Sequence, residues 1–306
     1  MNKLSVIICT YKHQNRVLGL KKAILSLSIK GNDDFLLEII IVDNGGSVSK
    51  SEKNELLAIN SKIIFIIENE IGLSVARNTG VKNSHGSIIA FTDDDVWVSK
   101  AWAENILEVY KNSDVLCAGG KVNMTNMGII KDKKWLTNYF LRFLFPTEFP
   151  KYTGQIIAPY FLIGANISFR KDVFEIYGLF DKKLGRIAKK LLSCDDTEFV
   201  GRLPKENIFF VKDAEVYGEI DKKRLSKKYM LKRLYWQGYS DFMFVQKVGI
   251  DRFFDKPEVK FGWNFIKYAF SKLFHFEFLE FVCIIARCVG FYASKKNREQ
   301  IQPTLN

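Results

Sequence analysis

Two hydrophobic rhythms alternate over the first hundred residues. KLSVIICTY, residues 3–11, is a short apolar run rich in β-branched side chains, which predicts a strand buried on both faces. Over residues 15–30 the spacing changes, and Val17, Leu20, Ile24 and Leu27 fall on one helical face. LLEIIIVDNGG reads as a second strand closed by an Asn-Gly-Gly turn, residues 50–60 as a helix, and KIIFIIENE as a third strand. LSVARNTGVKNS is helical, with Gly86 of the following HGS as its stop. SIIAFTDDD is a fourth strand ending on three carboxylates. A β-α-β-α-β-α-β order means parallel strands joined by right-handed crossovers, an α/β fold. Ligands of such sheets lie beyond the carboxyl ends of the strands. The residues there are Thr10 and Tyr11, Asp43 and Asn44, Glu68 and Asn69, then Asp93, Asp94 and Asp95.

The rhythm breaks near residue 100, where glycine-punctuated mixed segments begin, and again near 220, where helix formers, lysine and aromatics take over. Charge follows the second break. The chain carries 46 Lys and Arg against 34 Asp and Glu, a net +12, and residues 221–233 alone hold seven basic side chains and one acidic. Beyond them Phe270, Phe274, Phe278 and Phe281 recur at helical spacing. Two structures fit this pattern: a surface that docks on anionic membrane, with Lys222, Lys223, Arg224, Lys227 and Lys228 facing the lipid, or a solvated basic helix and a helical hairpin packed on the core. Charges at Lys272, Glu277, Glu280 and Arg287 forbid a membrane span there. The uncharged run Tyr152–Phe169 is interrupted by Gly154, Pro159, Gly164 and Asn166, so no transmembrane helix is predicted. The N-terminus lacks the apolar length and cleavage site of a signal peptide.

Several classes drop out. Five scattered cysteines without a CxxC exclude a disulfide scaffold or zinc ribbon and suit a reducing cytosol. No GxGxxG follows the first strand, and neither GxxxxGK[ST] nor GxSxG occurs, which removes the common dinucleotide, P-loop and nucleophile-elbow enzymes. Three histidines, His13, His85 and His275, are poor material for a zinc site, and His85 reads as structural.

What remains is acidic. Asp93, Asp94 and Asp95 repel one another unless a cation compensates, and strand alternation would put Asp93 and Asp95 on one side. Hard oxygen ligands so placed suit magnesium or manganese on a diphosphate; a solvated turn capping the next helix accounts for them equally. A second cluster, Asp195, Asp196 and Glu198, opens a helix whose Phe199 and Leu203 face inward. Helix-dipole stabilisation explains part of it. Between the clusters, Gly164 and Asn166 mark a place where something approaches the backbone closely, or a plain bulge.

Taken in order, SVIICTYKHQNRVLGLKKAILSL, EIIIVDNGG, ENEIGLSVARNTGV, GSIIAFTDDDV, IGANISFRKDVFEIYGLFDKKLG and CDDTEFVGRL resemble the bacterial family 2 glycosyltransferases of the GT-A fold, over residues 3–205. The resemblance implies a Rossmann-like nucleotide-binding half with a mixed central sheet. It places Thr10, Tyr11 and Asp43 at the nucleotide base, Arg77 and Asn78 along the nucleotide pocket, and the family's DxD on Asp93 and Asp95. Asp95 would be the direct metal ligand with Asp93 nearer the ribose, and Asp94 part of the nucleotide-sugar contact. Asp196 matches the catalytic base; Asp195, Gly164 and Asn166 would lie on the acceptor side. Two departures stand out: Asp195 where relatives have Glu, and Val98 where they often have Pro.

The expected organisation is then a GT-A domain over 1–220, split into a nucleotide-sugar half (1–100) and an acceptor half (101–220), followed by a C-terminal helical extension, 221–306. The expected reaction is metal-dependent, inverting transfer from a nucleotide-sugar, a UDP-sugar, to a glycan or lipid-linked acceptor in cell-surface polysaccharide synthesis, on the cytoplasmic side and at the inner face of the membrane. The chemistry agrees: a cation neutralises the leaving diphosphate and a carboxylate takes the acceptor proton. A sugar-phosphate nucleotidyltransferase would want a glycine-rich basic loop where TYKHQNR stands. A nucleic-acid-binding protein, suggested by +12, would find its phosphates repelled by both acidic clusters, so no nucleic-acid partner is expected.

Overall fold

The computed structural model describes residues 3–11, 17–145, 147–157, 160–249 and 278–301. His13, His275, Phe270 and Phe274 lie outside the described residues. Contacts divide the chain into two units: Met1–Thr125 with Glu148–Lys183 and Asp195–Glu219, and Asn126–Thr147 with Leu184–Cys194 and Ile220–Asn306. Against a single cut at 220, segments 126–147 and 184–194 go with the C-terminal helices.

The first unit is built on one nine-stranded mixed sheet. Its strands are β1 (Leu4–Thr10), β2 (Leu36–Asn44), β3 (Ile63–Glu68), β4 (Ile88–Asp93), β5 (Val96–Val98), β6 (Cys117–Met124), β7 (Gly154–Gln155), β8 (Asn166–Arg170) and β9 (Ile208–Gly218). They lie in the order β3-β2-β1-β4-β8-β6-β9-β5, with β7 paired to β9. The first four run parallel, as the rhythm predicted, and β8 turns the sheet mixed by pairing antiparallel with β4.

Period-two alternation decides what each face buries. Leu4, Val6 and Ile8 of β1 join Leu20, Ile24 and Leu27 of α1 (Val17–Leu27) and Trp102 and Ile106 of α4 (Trp102–Val109). Ile7 faces the other way, with Ala76 and Val81 of α3 (Leu73–Lys82) and a group of phenylalanines, Phe91, Phe169, Phe174, Phe180 and Phe199. Their ring centroids lie 4.8–6.3 Å apart. Full burial of one such ring is worth about 1.5–3 kcal/mol, so this group anchors the helix that carries Phe199. Both faces being covered explains why the parallel strands read as unbroken apolar runs.

Two local readings change. Helix α3 ends at Lys82 with Asn83 as its cap, so Gly86 is not its stop. A Cβ on Gly86 would instead meet the Ser5 backbone nitrogen at 2.7 Å, and its own N–H donates to Ser5 Oγ. Likewise β4 ends at Asp93, and Asp94 and Asp95 form a turn before β5, so strand alternation does not govern the three acids.

In the second unit, α8 (Lys227–Val248) starts at Ser226, whose hydroxyl accepts from the Tyr229 N–H, and α9 (Phe278–Ile301) packs on it. The crossing is close because two positions lack side chains. A Cβ on Gly238 would run into the Arg287 carbonyl, and one on Gly290 into that of Tyr235. Among the described residues no helix is long and apolar enough to cross a membrane.

Candidate active site

Strand register brings the strand-end residues to one edge. Thr10 stands opposite Asp43, Cys9 opposite Asp93, and Asn44 opposite Glu68. Asp94 turns inward from the tight turn, only 1% exposed, and accepts a 2.7 Å hydrogen bond from Thr10 Oγ1. Its neighbours stay at the surface: the Asp93 side chain is 43% exposed and Asp95 is half-buried. Asp43 is fully buried, and its carboxylate accepts from the N–H groups of Ser47 and Val48 and from Ser47 Oγ, tying down the loop after β2. Tyr11 lies half-buried beside Gly45, where a Cβ would come within 3.7 Å of its ring.

Arg77 is the hub. Residues 74–78 of α3 are all buried, which explains why this helix carries a weak amphipathic pattern. Its guanidinium donates from Nη1 to Asp195 Oδ2 at 2.5 Å and places Nη2 4.0 Å from Asp93 Oδ1. Burial pulls its pKa down, but Asp195, Asp196 and Asp93 hold it above the ordinary value. One cation is therefore shared among the ends of two acidic clusters about a hundred residues apart in sequence. Gly164 makes room for it, since a Cβ there would collide with the guanidinium. What approaches the backbone at this glycine is Arg77.

Asp196 is held but reachable. Half-buried in the first turn of α7 (Asp195–Gly201), it accepts at Oδ2 from the Gly164 N–H at 2.7 Å and at Oδ1 from the Thr197 N–H at 2.7 Å. Glu198, by contrast, is 1% exposed and spends both oxygens on Arg202, whose other end grips the carbonyls of Tyr177 and Leu179.

Two expected site residues work elsewhere. Asn166 has no surface exposure: its amide donates to the carbonyls of Lys121 and Ala214 and accepts from Trp102 Nε1, stitching β6, β8, β9 and α4 together. Asn78 exchanges both amide hydrogen bonds with the backbone of Phe180, at 2.9 and 3.0 Å, fixing the loop that flanks Arg77. Cys9 was not foreseen at this edge. Burial, with Asp93, Asp94 and Asp195 outweighing Arg77, pushes its thiol up to about 12.

The fit to a divalent cation is open-sided. Among the described residues no group of three or more His, Cys, Asp or Glu is arranged to enclose a metal. Asp94 is buried against Thr10, and Asp93 and Asp95 lie at the surface on either side of it. That set suits a cation whose remaining ligands are phosphate oxygens and water.

A mixed sheet with a parallel half and helices on both faces has the GT-A fold. The profile described as "Glycosyl transferase family 2" matches residues 5–178, more than half of the chain, and the chain belongs to that family of transferase enzymes. It is 24% identical over 244 residues to the glucosyl-dolichyl phosphate glucuronosyltransferase of Haloferax volcanii, covering 78% of this chain and 76% of that one. It is 25% identical over 189 residues to the cholesterol galactosyltransferase of Borreliella burgdorferi, covering 60% of this chain but only 48% of the relative. Among solved structures, S. aureus TarS, residues 1–349, superposes with a TM-score of 0.51 at 14% identity, over 98% of this chain and 92% of that one.

Proposed function

We propose that this enzyme transfers a sugar, with inversion, from a UDP-sugar to a phosphate-linked lipid or a glycan built on one, in the assembly of a cell-surface polysaccharide. The observation that carries this is the charge pairing through Arg77, which ties Asp93 at the acidic turn to Asp195 beside the half-buried carboxylate of Asp196. On this reading donor and acceptor chemistry share one sheet edge. Thr10, Tyr11 and Asp43 lie where the nucleotide base and ribose would rest, at the ends of β1 and β2. Asp93 and Asp95 would hold a divalent cation, manganese or magnesium. Such an ion, when bound, neutralises charge developing on the departing diphosphate.

The protein supplies the rest. The Gly164 and Thr197 N–H groups orient the Asp196 carboxylate, leaving it to accept the acceptor hydroxyl's proton as attack occurs. Asp195 keeps Arg77 in place, and Asn78 keeps the Phe180 loop over it. A single displacement needs no covalent sugar intermediate. Lipid acceptors find support in two relatives, whose names specify a dolichyl phosphate and cholesterol. Docking on an anionic membrane fits the exposed Phe278, Ile285, Val289 and Tyr292 of α9 together with Lys222, Lys223, Lys227 and Lys228.

The test is a panel of nucleotide-sugars with manganese, scored for hydrolysis and for transfer to prenyl-phosphate-linked sugars. UDP-sugar turnover that vanishes in Asp196→Asn supports the reading. Undiminished turnover in that variant overturns it.

A further inference from the structure

Helix α1 meets the acidic turn backbone to backbone. A Cβ on Gly19 would stand 2.7 Å from the Asp94 carbonyl oxygen and 3.4 Å from the Asp95 Cα. The missing side chain therefore lets the first turn of α1 lie against the Asp94–Asp95 peptide. Glycine weakens a helix relative to alanine, and α1 has only 11 residues. That weakness falls where the helix touches the carboxylate-bearing turn.

Further contacts follow along α1 in the same order as the chain beside it. The Lys22 ammonium sits 3.0 Å over the Trp97 ring, which stacks on Tyr217, its partner across β5 and β9. Ser26 Oγ accepts the Val98 N–H at 3.0 Å and donates to the Ala23 carbonyl at 2.7 Å. Asn32, beyond the helix end, donates to the carbonyls of Ser26 and Ser99 and accepts from the Ala103 N–H. Gly19, Lys22, Ser26 and Asn32 thus answer Asp94–Asp95, Trp97, Val98 and Ser99 in sequence. From behind, α1 is fixed by Leu20, Ala23, Ile24 and Leu27, each at most 1% exposed in the core. Of a helix so anchored and a two-residue turn, the turn is the part that yields when their spacing changes.

We propose that α1 is the positioning element of the acidic turn, acting through Gly19 and Ser26, and that it sets where the Asp95 carboxylate is presented to donor and cation. Neither residue is placed to touch substrate; both act through the backbone that carries Asp95. The Asp94 side chain is held by Thr10, so the direction of its neighbour depends on the peptide between them, and that peptide rests on Gly19. Groups that bind or react must be held within about 0.5 Å of their working positions, so a shift of this peptide is felt in binding. The inference rests on the transfer reading for what the turn holds; the packing of α1 on the turn does not depend on it.

The experiment compares full-length wild type, Gly19→Ala, Ser26→Ala and, as a control, Leu18→Ala, whose side chain is 82% exposed. UDP and uridine are titrated with and without manganese, and amide hydrogen exchange is followed over residues 93–99 and over α1. Gly19→Ala should weaken manganese-dependent UDP binding roughly 10- to 100-fold, an overpacking strain expressed as affinity, and leave uridine binding unchanged. Its 93–99 segment should exchange faster while α1 stays protected, because alanine favours the helix. Ser26→Ala should move both readouts the same way by less, and Leu18→Ala should move neither. Manganese-dependent affinity equal to that of wild type, protection lost over α1 rather than the turn, or uridine affinity falling as far as that of UDP would each overturn the role. Should Gly19→Ala fail to fold, Ser26→Ala decides by the same readouts. If wild type binds no UDP with manganese, the transfer reading fails, and exchange over 93–99 alone upholds or overturns the positioning.

Discussion

Arg77 and Arg233 are both buried arginines, yet their surroundings are opposite. Around Arg77 one guanidinium serves Asp195, Asp196 and Asp93, a surplus of negative charge. Around Asp241 the arrangement is reversed: one fully buried carboxylate accepts from Arg287 and from Gln237, while Arg233 on the same helix face donates to Ser193. Proteins leave few charges uncompensated in their interiors, because desolvation costs several kcal/mol per ion. The first region gathers carboxylates about one guanidinium, and the second buries one carboxylate against Arg287.

Catalysis should show the largest effects, and only in the first region. Asp196→Asn should lower turnover on the order of 100- to 10,000-fold with donor affinity unchanged, since only the proton acceptor is lost. Asp95→Asn should abolish transfer and weaken UDP binding specifically when manganese is present, measured by titration with and without the ion. Asp195→Asn should be milder than Asp196→Asn. If Glu198→Gln is the dead variant and Asp196→Asn the active one, the assignment of the base is wrong. Glu198, already paired through both oxygens with Arg202, should matter to folding instead.

Stability separates the regions next. Arg77→Gln strands Asp195, itself 5% exposed, and should cost about 3–5 kcal/mol in urea unfolding. Asp241→Asn weakens the buried pair with Arg287 and should cost a similar amount. A near-neutral Asp241→Asn would mean that this pair contributes little, and the comparison would collapse.

These regions differ as much in how they were written. The parallel half was legible because strand burial on both faces leaves unbroken apolar runs, as in Ile39–Val42, and each run ends on a polar residue. The acids at those ends were visible for the same reason. What each acid does was not. Asp94 and Asp95 sit in a turn that alternation cannot describe, and Asn166 looks like a loop polar residue while its amide makes three hydrogen bonds in the core. The Arg77 hub needed Gly164 and Asp195, 87 and 118 positions away along the chain, which no local pattern joins. Arg233, Gln237 and Asp241 form a legible polar i, i+4, i+8 stripe on a helix otherwise rich in aromatics, but the pairing of Asp241 with Arg287, 46 positions on, follows from no local pattern.

Helix packing in the second region gives a smaller test. Gly238→Ala places a methyl group against the Arg287 carbonyl, and overpacking of that kind costs about 1–3 kcal/mol. Because Arg287 is the residue displaced, the same change should also disturb its pair with Asp241, so Gly238→Ala and Asp241→Asn should be less than additive in melting point, whereas a purely local strain would add.

The smallest effect belongs to a charge distant from both comparisons. Glu38 lies near the start of β2, its side chain 6% exposed, accepting from Ser5 Oγ and from the His85 N–H and facing the His85 ring. Burial alone would raise its pKa, but these hydrogen bonds and the His85 charge hold it below the ordinary 4.5. The sign follows from that direction. A carboxyl depressed in the folded state contributes stability above its unfolded pKa and loses it as pH falls through the folded one. Wild type should thus shed this contribution progressively below about pH 4.5, while Glu38→Gln, which still accepts the same two donors, should not. At pH 7 the variant should be less stable by about 1 kcal/mol, the difference between a charged and a neutral hydrogen-bond acceptor. The two stability curves should converge in acid, and turnover at pH 7 should be unaffected, since Glu38 sits near the amino ends of strands whose carboxyl ends carry Asp43 and Asp93. A gap that widens as the pH drops would mean that Glu38 is stabilised by something other than its charge.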